Sequence, residues 1–254
     1  MTAIYMYHAV GNALQTVGAD PYYAVTSDNF TAQISQIPES IPLAYQVLQS
    51  VGVKDHCITF DDGHISNFSI AFPILLEKSL FAEFYVNTST IGKKGYMSWQ
   101  HLTDMVKSGM SIQSHGHNHF YFSDLSDKEI YSELETSKKM IEDKLGCDVV
   151  VFAPPGGRFD SRVVKISKDL GYMCIASSIP GTVIKVKDFI LPRFAVLSTT
   201  PNGKIFDWQR NFSYATNIER VRYHSFRLAK KVLGNHRYDD LRSKILGGNG
   251  EKSA

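Results

Sequence analysis

The sequence predicts an α/β fold built on a parallel sheet. Three observations lead there. Short β-prone runs alternate with helical patterns through the middle of the chain. Chemically capable residues, at Asp61, His115 and Pro154, stand just after such runs, where barrels and open α/β sheets carry their sites. The 254 residues, 43% of them hydrophobic, suffice for a buried core without staples. This pattern by itself fits a barrel and an open sheet equally.

The elements follow in order. Cys57-Ile58-Thr59-Phe60 is a β-prone run ending at Asp61-Asp62-Gly63. A helical pattern spans Ile65 to Ser79 and is interrupted by Pro73. Phe84-Tyr85-Val86 is a strand. Ser98 caps a helix carrying Leu102, Met105 and Val106, and Gly109 stops it. Ser111-Ile112-Gln113 is a strand that runs into Ser114-His115. Asp127 to Leu145 is the clearest helix. Ser126 and Glu129 make a capping box, Ile130, Leu134, Ile141 and Leu145 form one stripe, and Gly146 ends it. Val149 to Phe152 is a strand leading into Pro154-Pro155-Gly156-Gly157. Asp160 caps a helix to Leu170, and Met173 to Ala176 is the next strand. Ser178 to Gly203 reads as loops and short strands. Ile218 to Leu233 is a basic amphipathic helix, and Gly247 to Ala254 is expected to be a disordered tail. The division expected is a catalytic domain over 1–210 and a basic helical extension over 211–254.

A net charge of +2 argues against a polyanion binder, so no nucleic-acid partner is expected. The charge is uneven: nine Lys or Arg face four Asp or Glu from Asn217 onward. The basic helix has two readings, a solvated helix docked on the domain or a peripheral contact with an anionic membrane surface. Cys57, Cys147 and Cys174 are odd in number and widely spaced, which suits free thiols in a reducing compartment. With no signal-like N-terminus and no long apolar span, a cytoplasmic location is expected. Oligomeric state stays open.

Two clusters could carry chemistry. His115 and His119 are spaced so that two imidazoles can converge on a cation, although a run with three histidines also suits a solvated loop. Asp61 and Asp62 point in different directions at a strand end, so one can bind a cation while the other accepts a proton. Asp-Asp-Gly is also an ordinary turn. Together, one Asp and two His make a three-ligand site with open positions, suited to zinc and a reactive water.

These residues resemble the motifs of the polysaccharide deacetylases, carbohydrate esterase family 4, the NodB-homology domain. Thr59-Phe60-Asp61-Asp62-Gly63 resembles the first motif, which implies Asp61 as base and Asp62 as metal ligand. His115-x-x-x-His119 resembles the second, which implies both histidines as ligands; Gly116 replaces its Ser/Thr and Phe120 its Pro. Phe152-Ala153-Pro154-Pro155-Gly156-Gly157 resembles the third, with Pro155 and Gly156 toward substrate and oxyanion. Ala153 stands where that motif commonly begins with Arg, and Arg193 is the candidate replacement; a surface ion pair is its alternative role. The Leu-x-His motif near the domain end is missing. Tyr7-His8, after a strand-like Ile4-Tyr5-Met6-Tyr7, resembles the Tyr-His of permuted members and implies His8 as the acid. His64 follows the turn and is a candidate for lining the groove. His117, His56 and His101 read as ordinary residues, and Met97 and Trp99 as packing.

The resemblance implies a distorted (β/α) barrel of seven or so strands and hydrolysis of an N-acyl, most simply N-acetyl, group on an amino sugar. It implies one divalent metal, Zn²⁺ first, with Co²⁺ or Ni²⁺ also accommodated. The implied partner is an N-acetylated sugar or glycan. A non-catalytic sugar-binding module on the same fold is one alternative. A non-haem iron oxygenase is another, set against by a carboxylate more than fifty residues upstream of the histidines.

Overall fold

A computed structural model describes residues 2–12, 18–49, 55–183, 188–210, 213–234 and 237. Eight strands form one curled parallel sheet: β1 Ile4–Tyr7, β2 Cys57–Phe60, β3 Ala82–Val86, β4 Ser111–Ser114, β5 Val151–Phe152, β6 Cys174–Ala176, β7 Ile190–Leu191 and β8 Phe194–Ala195. Their order is β7-β6-β5-β4-β3-β2-β1-β8, with every neighbouring pair parallel. The result is a distorted (β/α) half-barrel. β2 lies between β1 and β3, with Tyr7 opposite Phe60 and Phe60 opposite Phe84. That register brings His8 and Asp61 out side by side, and the Asp61 N–H donates to the Tyr7 carbonyl at 2.9 Å.

Strand alternation separates two interiors. Tyr5, Tyr7, Ile58, Phe60, Phe84 and Ile112 point into the layer beneath the helices. The Tyr7 hydroxyl donates there to Gln33, at 3.2 Å. The other face lines the barrel and is partly polar. Thr59, Glu83, Tyr85, Gln113 and Arg193 are all buried. Their polar atoms are paired, as burial demands. Glu83 accepts from the Tyr85 hydroxyl at 2.5 Å and from the Ala44 N–H at 2.7 Å.

Helices α1 (Ser27–Ile34), α2 (Leu43–Leu48), α3 (Phe72–Glu77), α4 (Trp99–Lys107), α5 (Asp127–Leu145), α6 (Ser161–Asp169), α7 (Lys204–Gln209) and α8 (Ser213–Leu233) complete the described elements. The caps expected at Ser98, Ser126 and Asp160 are present. At α4 the box is closed by the His101 ring, whose Nδ1 accepts the Ser98 N–H at 3.2 Å. The Ile65–Ser79 pattern is a π-helical turn, Asn67–Ala71, leading into α3, where Pro73 occupies the first turn and needs no donor. The Val149–Phe152 strand is shorter than expected. Only Val151–Phe152 pairs as a strand; the Val149 N–H donates to Glu142 and the Val150 N–H to Gln113. The basic helix begins earlier than expected, at Ser213. The Gly247–Ala254 segment lies outside the described residues. Among the described residues no helix is long and apolar enough to cross a membrane.

Candidate active site

The ends of β1, β2, β4 and β5 carry candidate residues. After β2 the chain turns at Asp62, which takes φ +73°, and after β4 the loop 115–119 ends at His119, with φ +59°. Only one other described non-glycine residue, Ser79, adopts positive φ. Such conformations cost free energy and persist where surrounding contacts impose them. Here they aim both side chains at one point. Asp62 Oδ1 lies 3.2 Å from His115 Nε2 and 3.2 Å from His119 Nε2. The three ligand atoms fall within 4.8 Å of one another.

The orientation of His115 is imposed from behind. Its Nδ1 is 2.6 Å from the Ala153 carbonyl, an atom that can only accept. The Nδ1 therefore carries the hydrogen, and Nε2 is the ring atom turned to Asp62. Burial raises the Asp62 carboxyl, but hydrogen bonds from His115 and His119 outweigh it and hold the group well below the usual carboxylate range. At His119 partial desolvation lowers the imidazole, and the bond to Asp62 overcomes this and raises it.

Asp61, 3% exposed, lies beside this cluster. Arg193 Nη1 donates to Asp61 Oδ1 at 2.7 Å and Nη2 to Oδ2 at 2.8 Å. Burial pushes the Asp61 carboxyl up, while the Arg193 charge, then His115, brings it below its ordinary value. Arg193 is itself fixed by bonds to the Ser177 carbonyl (3.0 Å) and the Thr59 hydroxyl (3.1 Å). It is fully buried rather than part of a surface ion pair.

His8 extends from β1, half-buried, and stacks on Tyr23 with ring centroids 4.2 Å apart. Asn67 Nδ2 holds its carbonyl at 2.6 Å. Burial lowers the imidazole below its usual range, against the opposing pull of Asp62 and Asp61.

The loop after β5 supplies a wall. Pro155 is buried, while Gly156 is exposed at φ +59°. A Cβ there would meet the Tyr121 ring at 2.9 Å. Arg158 stacks on the same ring at 3.7 Å, tying this loop to the one that ends at His119. His64 departs from expectation. It is 2% exposed, with Nδ1 2.7 Å from the Ser66 hydroxyl, so it braces the turn after Asp62 rather than lining a groove. His117 is held by Thr88 at 2.7 Å. His56 accepts from the Ala3 N–H, and Met97 joins the core.

Sequence reasoning missed Glu133. From α5 its carboxylate accepts the His117 and Asn118 N–H groups, both at 2.8 Å, and Asn118 Nδ2 at 2.6 Å. It clamps the backbone between the two histidines. Gly116 has no side chain to do so: at φ +83° a Cβ would lie 3.1 Å from Phe122. The legible signal was a carboxylate on the buried stripe of α5, one residue before Leu134. Tyr23, against His8, carried no such signal.

Residues 49–175 match the family model described as polysaccharide deacetylase. The Bacillus subtilis protein YxkH is 26% identical over 192 residues, 70% of this chain and 64% of its own. A peptidoglycan-N-acetylglucosamine deacetylase of Bacillus cereus is 29% identical over 119 residues, covering 46% of this chain and 54% of that protein. The chain thus spans about half to two-thirds of the length of these two relatives. The solved structure of the Streptococcus pyogenes deacetylase PplD in complex with acetate superposes with a TM-score of 0.73 at 23% identity, over 81% of this chain and 96% of that one. The fold is therefore the NodB-type (β/α) barrel, and the chain belongs to the polysaccharide deacetylase family.

Proposed function

We propose that the protein hydrolyses an N-acetyl group from an amino sugar in a glycan or glycan precursor. The observation that carries this reading is the Arg193-clamped Asp61 carboxylate set beside the Asp62, His115 and His119 cluster. A sugar-binding module has no need of a buried, oriented carboxylate next to a cation site. The family match and the relatives' names support the same reading.

The donor set suits a divalent cation. One carboxylate oxygen and two imidazole nitrogens converge, and the Ala153 carbonyl fixes the tautomer of one of them. Asp62, His115 and His119 would hold the ion, Zn²⁺ being the first expectation, and it would supply Lewis acidity and a lowered water pKa.

The chain's own groups account for the proton movements. Asp61 is ionised at neutral pH. Arg193 occupies one lone pair on each of its oxygens, so a further lone pair can accept the proton of the attacking water. His8, when protonated, gives its proton to the departing amine nitrogen, a poor leaving group without it. Asp61 and Asp62 favour the protonated imidazole, opposing the effect of burial. The Gly156 backbone N–H is the group we assign to the developing oxyanion, by resemblance to the third motif.

Acetate release from a panel of N-acetylated sugars and oligosaccharides tests this reading. Release is expected from metal-loaded protein and is expected to be lost on chelation and in Asp61→Asn. Release unchanged in Asp61→Asn would overturn the role of Asp61. No release from any panel member, with one equivalent of metal bound, would favour a binding role.

A further inference from the structure

Among the described side chains of helix α8, Thr216, Glu219 and Arg220 face the protein, while Ile218, Val221 and Leu228 face away from it. Thr216 is buried at 3% exposure. Glu219 approaches Lys204 at 3.8 Å, and Arg220 Nε donates to the Pro180 carbonyl at 3.2 Å. Ile218, Val221 and Leu228 are 46%, 67% and 63% exposed. Spacings of three and seven put these three on one stripe, opposite Thr216 around the helix. A helix that only covered the barrel would carry the reverse arrangement, with its stripe inward.

The charge on the helix selects what covers the stripe. Its sequence holds five basic residues, Arg220, Arg222, Arg227, Lys230 and Lys231, and one acid, Glu219, which faces Lys204. A second copy packed stripe to stripe would bring two cationic helices together with no acid to pair them. An anionic surface with an apolar interior matches both features.

We propose that α8 lays Ile218, Val221 and Leu228 into the interface of an anionic phospholipid bilayer, a surface that the basic excess of the helix sequence favours. The helix is also connected to the site. Arg222 meets the Tyr22 hydroxyl, Tyr22 packs edge-on against Tyr23 at 5.1 Å, and Tyr23 stacks on His8. A docked helix therefore holds the His8 end of the barrel close to the lipid surface. Docking itself does not depend on the deacetylase reading; its use for sugars held at a membrane does.

Co-sedimentation of the full chain with vesicles tests the proposal. The probes are phosphatidylcholine vesicles and vesicles of equal parts phosphatidylcholine and phosphatidylglycerol. Binding is expected to the anionic vesicles only, and is expected to weaken with salt. Val221→Ser/Leu228→Ser removes apolar contact at exposed positions without changing charge, and should lower the partition coefficient by about tenfold or more. Circular dichroism melts establish that the variant is folded, independently of any activity. The proposal is overturned by a full chain that stays in solution with the anionic vesicles, or by a folded variant that binds as tightly as the parent. It is equally overturned by a concentration-dependent dimer in light scattering that the variant abolishes, which would assign the stripe to a second copy.

Discussion

The guanidinium of Arg193 holds both oxygens of Asp61, at 2.7 and 2.8 Å, across 132 positions of sequence. The pair is buried, and its orientation places Asp61 beside the Asp62, His115 and His119 cluster. Removing one partner of such a pair leaves the other charge uncompensated, at a cost of about 3–5 kcal/mol. Arg193→Leu is therefore expected to lower stability by about that amount in urea unfolding. Arg193→Lys, which keeps the charge but not the two-pronged geometry, should keep more of the stability than of the activity.

Stability should follow the protonation of Asp61. Its folded pKa is held below the ordinary value, so the stabilisation is complete above about pH 3.9 and is lost as pH falls through the folded pKa. Asp61→Asn mimics the protonated state. The stability gap between parent and Asp61→Asn should be wide at pH 6 and should narrow toward pH 3. A gap that stays constant over that range would contradict the assignment.

Glu133→Gln tests the clamp on the histidine loop. The variant keeps the shape of the side chain but weakens acceptance from the His117 and Asn118 N–H groups. Zinc affinity, read by competition with a chelator, should fall by about 10–100-fold, as for other groups that orient ligands. Unchanged affinity would reduce Glu133 to a packing role.

Gly156→Ala places a Cβ 2.9 Å from Tyr121 at φ +59°. The strain should cost about 1 kcal/mol or more and displace the wall. Metal affinity should hold while kcat/KM falls, since the Ala153 carbonyl that orients His115 is three residues away.

The sequence by itself determined the alternation of strands and helices, the caps at Ser98, Ser126 and Asp160, and the strand-end placement of Asp61, Asp62, His115 and His119. These are local properties: hydrophobic period, capping residues and motif spacing read along the chain. Only the tertiary structure decided which distant residues meet. It brought Arg193 to Asp61, buried His64 against Ser66, turned Glu133 from a helix stripe onto the histidine loop and set Tyr23 on His8. It also turned Ile218, Val221 and Leu228 of α8 outward, which the helical period alone leaves undetermined. The physical reason is common to all of these. Spacing fixes where a side chain sits on its own element, but strand order and sheet curl fix what it faces.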